Sequence, residues 1–298
     1  MSDGIQALSA QGVVYQIDHE TRYVHAGRVS TSQHVACLAP RELPRQHVRS
    51  HQLTVDPHPA NESRRTDCYG NTEDQFTILS PYSELRVVSR SLVEVLPRVE
   101  SIEVSPAWED VRQDESFTVA SEFRYPSPYV EPAPALSAFA LEVFTERRPL
   151  LEAAIALMHR IHDEFRFDPG ATSITTPATR VLEERHGVCQ DFAHLQIACL
   201  RSLGLPARYV SGYLLTDPPP GQPRLVGADA SHAWLSVWCP VNGWVDLDPT
   251  NAVHPDTRHV TIAWGRDYGD VSPLHGVVLG GGSHELYVGV SVVPSIGA

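Results

Sequence analysis

Residues 187–206, GVCQDFAHLQIACLRSLGLP, decide how the rest of the chain is read. Val188, Phe192, Leu195, Cys199 and Leu203 step by four, three, four and four, the spacing of one buried helical face. Gly204 and Pro206 close the helix. Cys199 lies on the apolar stripe and is predicted to be core. Cys189 lies off it, in the first turn. A helix N-terminus presents unpaired N–H groups and partial positive charge, which favours thiolate over thiol and makes a cysteine nucleophilic. Asp191, in the same turn, complements the helix dipole.

Downstream the period changes from helix to strand. ARYVSGYLL, SHAWLSVWC and GWVDLDP read as three strands, with the proline-rich PPPGQP as a loop after the first. On the second strand His232, Trp234, Ser236 and Trp238 share a face, and on the third Trp244, Asp246 and Asp248 do. Adjacent antiparallel strands therefore bring a histidine beside one of two aspartates. Such a pair can take the proton of a nearby thiol and hold the imidazole in one orientation. The residues leave Asp246 and Asp248 as alternatives for that orienting role. Tyr213, Trp234 and Trp244 are candidates to line a substrate groove, with aromatic core packing as the alternative.

Upstream, residues 149–167 carry an amphipathic helix with Leu151, Ile155, Met158 and Ile161 on one face. A short helix follows, with Pro177 at its start and Gly187 as its stop. YPSPYVEPAPA, residues 125–135, is the expected boundary between two parts, 1–130 and 131–298. The first part reads as strands: VVYQIDHETRYV, QFTILS, ELRVVSRSLVEVLP and SIEVSP, with HPANESRR and YGNTED as turns or loops. The segment HGVVLGGGSHELYVGVSVVPS reads as a glycine turn between two strands within the second part.

RHGVCQDFAHL, LPARYVSGYL, SHAWLSVW and GWVDLDPTN, in this order and spacing, resemble the core of the bacterial transglutaminase-like family, also described as predicted cysteine proteases of the papain-like superfamily. YQIDHETRY and CYGNTEDQF resemble the β-rich region that precedes that core, and AWGRDYGDVSPLHG its C-terminal part. The resemblance implies an α+β fold, with a nucleophile helix packed on an antiparallel sheet and a β-sandwich-like N-terminal domain. It implies Cys189 as nucleophile, His232 as base and Asp248 rather than Asp246 as orienting acid. The implied reaction is acyl transfer from peptide or glutamine amides, resolved by water (peptidase or deamidase) or by an amine (transglutaminase). Hydrolysis is the favoured outcome, and no cofactor is required. The tryptophan that helps stabilise the oxyanion in animal transglutaminases has no counterpart in HDEFRFDPG, where Phe165 and Phe167 stand instead. The Cys189 N–H and the Gln190 side chain are the remaining oxyanion candidates. The rival reading is a non-catalytic protein or peptide interaction module on the same fold.

Net charge is −13, with 36 acidic against 23 basic residues, which argues against nucleic acid or anionic membrane as partner and identifies none; a peptide or protein substrate is what the resemblance implies. No acidic loop cluster resembles a calcium site, and His186, Cys189, His194 and Cys199 match no common zinc spacing. Five scattered cysteines without a CxxC pair do not form a disulfide framework and suit a reducing compartment. No apolar run reaches membrane-spanning length and the first residues, MSDGIQALSAQG, carry no signal-peptide pattern, so a cytoplasmic location is expected.

Overall fold

The computed structural model describes residues 12–98, 104–114, 119–216 and 231–295. Strand β1 (Val13–Ala36) is the spine of the N-terminal sheet, its 24 residues alternating between buried and exposed positions. Four antiparallel partners share it. Along its first half β1 is flanked by β5 (Tyr82–Val95) and β13 (His284–Pro294). Along its second half it is flanked by β4 (Thr72–Ile78) and β12 (Leu274–Gly280). β2 (Gln46–Asp56) extends the β5 side and β3 (Asn61–Thr66) extends the β4 side. Pairing is irregular between Val24 and Val29, where one half gives way to the other. Val29, Ala36, Phe76 and Ile78 of the second half then meet Val55, Leu85 and Val87 of the first in one apolar cluster. Two halves of one sheet thus enclose a core, which is the sandwich-like arrangement expected.

Two local expectations change. Asn61–Thr66, read as a loop, is the edge strand β3; all six residues are exposed, so burial imposes no alternation that a sequence could reveal. The two C-terminal strands do not stay with the second part of the chain: both add to β1. Of SIEVSP, residues 101–103 lie outside the described residues and 104–106 are not in a strand.

The second layer contains helices α1 (Trp108–Gln113), α2 (Pro134–Leu141), α3 (Leu150–Glu164), α4 (Ala178–Glu184) and α5 (Cys189–Ser202). They pack on a four-stranded antiparallel sheet ordered β10-β9-β8-β11, where β8 is Ala207–Leu214, β9 Ser231–Cys239, β10 Gly243–Leu247 and β11 His259–Gly265. One continuous core joins these helices and strands to Tyr15 and Ile17 of β1 and to Val290 and Val292 of β13. α4 ends at Arg185 in left-handed conformation (φ 55°), not at Gly187 as expected. Pro177 sits just before the helix, at its cap. Gly187 instead belongs to a short strand, β7 (His186–Gly187), paired in parallel with β6 (Arg166–Phe167).

α5 is buried on all sides from Asp191 to Arg201, so the apolar stripe marks only part of its contact surface. Its polar residues find partners one by one, although Gln196 Oε1 is buried without one. Gln196 donates to the Ala154 carbonyl at 2.9 Å. Arg201 donates to the carbonyls of Phe123, Ala207 and Arg266 and to the Ser127 hydroxyl.

The two layers are stitched at the free edge of β11. There the Gln46 side chain stands in for a strand: its Oε1 accepts from the Thr261 N–H and its Nε2 donates to the Thr261 carbonyl, both at 2.7 Å. Asn71 repeats the device on Trp264, accepting from its N–H at 3.0 Å and donating to its carbonyl at 2.8 Å. Removing the Gln46 amide orphans the Thr261 N–H and takes a donor from the carbonyls of Arg41 and Thr261, of which the latter still accepts from the Arg41 N–H at 3.2 Å. Gln46→Ala is therefore expected to destabilise the protein by about 2–4 kcal/mol, read by urea denaturation, while a surface control such as Gln52→Ala changes stability little. A Gln46→Ala midpoint equal to the native one would refute the edge-closing role.

Candidate active site

The site begins with a constraint on the turn before α5. Asp191, the third residue of the helix, folds back so that Oδ2 accepts from the Val188 N–H at 2.8 Å and from the Thr172 hydroxyl at 2.6 Å. A side chain at position 187 would put its Cβ 2.8 Å from that of Asp191, so only glycine lets the carboxylate close the turn. Cys189 thereby becomes the first helical residue, half-buried at the positive end of α5. Burial raises the Asp191 carboxyl above its ordinary value, against the opposing hydrogen bonds from Thr172 and Val188.

Asp248 follows the last residue of β10 and opens the turn Pro249-Thr250-Asn251. Its side chain is completely buried. Oδ1 accepts from the main-chain N–H groups of Thr250 (2.9 Å) and Asn251 (3.3 Å). Oδ2 accepts from His232 Nε2 at 2.7 Å, Asn251 Nδ2 at 2.8 Å and His259 Nε2 at 3.1 Å. His232 lies at the start of β9, 8 % exposed, and its imidazole is hydrogen-bonded to Cys189 as well as to Asp248. With Nε2 on the carboxylate, Nδ1 is the nitrogen left for the sulfur.

Burial opposes a charged imidazole here, but the hydrogen bonds to Asp248 and Cys189 outweigh it and push His232 up to about 10. Burial would likewise raise Asp248, yet hydrogen bonds from His232 and His259 hold its carboxyl well below the usual range. The fully buried Trp234 ring lies 6.0 Å from the His232 ring. Gly212 makes room for that indole, since a Cβ there would meet it at 2.5 Å. Water is thereby excluded from one side of the imidazole–carboxylate pair.

Residues 137–249 match the family model of the transglutaminase-like superfamily, and residues 15–94 match that of the bacterial transglutaminase-like N-terminal region. An uncharacterized protein of Mycobacterium tuberculosis is 41% identical over 290 residues, covering 94% of this chain and 92% of that one. The chain belongs to the transglutaminase-like superfamily. Its fold is shared with the crystal structure described as "a Putative Cysteine Protease from Cytophaga hutchinsonii", at a TM-score of 0.73 and 20% identity, over 96% of this chain and 93% of that one. A protein-glutamine gamma-glutamyltransferase of Pseudomonas aeruginosa is 34% identical over 109 residues, which is 34% of this chain and 16% of that one.

Within this transglutaminase-like core Cys189, His232 and Asp248 come together, and the choice between the two aspartates falls on Asp248. Asp246 accepts instead from the Ser236 hydroxyl. Cys199 is fully buried, as expected of core, and burial drives its thiol far up. His194 is buried too, its Nε2 accepting from the Tyr268 N–H at 3.2 Å, and burial depresses it to about 3.

Gln190, Tyr213, Trp234 and Trp244 are not brought to a groove beside the sulfur. The Gln190 amide is turned to the Ile174 carbonyl at 3.2 Å. Tyr213 is buried, with its hydroxyl 2.8 Å from His19 Nδ1. Trp234 is sealed in the core beside His232. Trp244 packs against Trp238, Phe123 and the Arg208 guanidinium. Aromatic residues on a half-buried strand serve packing more often than binding, and here packing wins. Asn251 and His259 also reach the carboxylate, and the sequence singles out neither. Asn251 stands in the quoted GWVDLDPTN segment; His259 carries no local signal, because it reaches Asp248 only through β-sheet pairing.

A folded-state imidazole value raised above 6.5 implies a stabilising contribution that is complete below pH 6.5 and is lost as pH rises through about 10. His232→Gln is expected to cost about 3 kcal/mol at pH 6, and the gap in Tm from the native protein should narrow by pH 10.5. A gap that stays constant would mean that the folded state does not hold the imidazolium.

Proposed function

We propose that the protein is a thiol-dependent amide acyltransferase or hydrolase acting through Cys189, His232 and Asp248. The observation that carries this reading is the His232 imidazole, hydrogen-bonded on one side to a buried carboxylate and on the other to a half-buried thiol at a helix N-terminus. The Cys189 thiolate attacks the substrate carbonyl carbon, forming a C–S bond and an oxyanion. The oxyanion collapses, the C–N bond breaks, and His232 gives its proton to the departing amine, leaving a thioester. Water or an amine then attacks the thioester carbon, forming a C–O or C–N bond while His232 takes its proton; the new oxyanion collapses, the C–S bond breaks, and thiolate and imidazolium are restored. Asp248 keeps the imidazole oriented and its cation compensated throughout. The main-chain N–H of Cys189 is the oxyanion donor of this scheme.

Hydrolysis is the favoured outcome on a peptide or protein substrate. Transfer to an amine is the second reading, favoured by the local identity to the P. aeruginosa protein-glutamine gamma-glutamyltransferase. All five cysteines are free, which is in keeping with a reducing, cytoplasmic setting. No helix of the described residues is long and apolar enough to cross a membrane.

At pH 6, limiting iodoacetamide should alkylate Cys189 at least about tenfold faster than the same thiol in the denatured chain, and His232→Ala should abolish that excess. A Cys189 no faster than a denatured thiol would favour the interaction-module reading instead. Incubation with a glutamine-containing peptide and a primary amine, followed by mass spectrometry, separates the reactions. Fragments indicate a peptidase, a one-dalton gain a deamidase and an amine adduct a transferase. Cys189→Ala should abolish whichever product appears, and a product that survives this substitution would remove the thiol from the mechanism.

A further inference from the structure

Among the donors on Asp248, three come from the turn that carries it: the N–H groups of Thr250 and Asn251 and the Asn251 amide. These move with the carboxylate and cannot fix it relative to the rest of the site. His232 is the group to be oriented. Among the described residues, the remaining donor from a separate element is His259, the first residue of β11, with Nε2 3.1 Å from Oδ2.

His259 is itself immobilised. Its main-chain N–H donates to the Asp256 carbonyl at 2.9 Å, its side chain is 6% exposed, and its ring stands edge-on to Trp234 at 5.3 Å. Nδ1 is buried without a hydrogen-bond partner. A proton there would leave a buried N–H unsatisfied, so the stable tautomer carries it on Nε2 and directs it at Asp248. The charged or titratable groups around it are His232 from β9 and Asp248 from the β10 turn, with Asp256 and Arg258 preceding it in the chain. Nε2 of both histidines and one carboxylate oxygen lie within 4.8 Å of one another, a grouping that a cation could also bring about. His232 Nε2 and Asp248 Oδ2 are only 2.7 Å apart, however. Two ligands each about 2.0–2.2 Å from a zinc ion in tetrahedral geometry stand farther apart than that, and hydrogen bonding accounts for the contact directly.

We infer that His259 is a positioning residue for the acyl-transfer site: its Nε2–H on Oδ2 anchors the Asp248 carboxylate to β11 and so keeps it in line with His232. The inference rests on the acyl-transfer reading above. The anchor is in turn held from outside the catalytic sheet, because Gln46 pairs with Thr261 two residues further along β11.

The test is the pH profile of Cys189 alkylation by iodoacetamide between pH 5 and 10, measured on the full chain with folding checked by circular dichroism. Three variants are compared. His259→Gln places an amide N–H near the position of Nε2, His259→Asn reaches only the position of Nδ1, and His259→Leu has no donor. The expected result is that Leu and Asn slow alkylation at pH 6 by about tenfold or more and move the profile to higher pH, while Gln stays within about threefold of the native protein. A purely structural histidine would lower Tm without moving the profile of the folded protein. The inference is overturned if folded Leu and Asn variants keep the native profile, or if Gln falls as far as Asn. If Leu does not fold, the comparison of Asn with Gln decides. A native Cys189 that is no more reactive than a denatured thiol sinks the acyl-transfer reading itself, whereas a reactive native Cys189 indifferent to position 259 sinks this inference alone.

Discussion

A carboxylate with no exposed surface is the constraint around which this protein is organised. An ionised group in that position is tolerated only if hydrogen bonds replace the water it has lost, and Asp248 receives five. Satisfying them dictates local structure. The turn after β10 must curl so that two main-chain N–H groups reach Oδ1, β9 must begin where His232 meets Oδ2, and β11 must begin where His259 does. The imidazole so held then has its second nitrogen free for a thiol. The electrostatic consequence follows from the same contacts: a buried anion keeps a buried imidazole protonated against its own desolvation.

Cys189, the proposed nucleophile, is positioned by a separate but similar logic. Asp191 closes the turn before α5, Gly187 admits it, and the β6–β7 pair fixes the chain that leads in. Cys189 is consequently half-buried, while Cys37, Cys199 and Cys239 are packed in the core. For Cys37 burial pushes the thiol up to about 12, a value at which it is inert near neutrality. Access separates Cys189 from these three thiols, and its place at a helix N-terminus separates it from the exposed Cys68.

The N-terminal sheet is more than an attachment. Gln46 and Asn71 terminate the β11 edge with amide hydrogen bonds that imitate a neighbouring strand, which also blunts an edge that would otherwise invite pairing with another chain. Arg41 and Arg208 sit over the Trp264 ring, at 3.5 and 3.7 Å, and close the same seam. Because β12 and β13 return to β1, the chain begins and ends its described structure in one sheet, with the helices and the four-stranded sheet between.

Periodicity and capping residues in the sequence by themselves determined the helix that opens at Cys189, the strands bearing His232 and Asp248, and the burial of Cys199, because these are local signals read along a single element. The sandwich-like N-terminal sheet was legible for the same reason wherever one face is buried, and it was not legible at the wholly exposed Asn61–Thr66 strand. Only the tertiary structure decided between Asp246 and Asp248 on physical grounds, sent Tyr213, Trp234 and Trp244 to packing rather than to a groove, and brought His259 to the carboxylate. It alone returned the C-terminal strands to β1. Each of these depends on which edges pair and which faces meet, and residues far apart in the chain carry no local record of that choice.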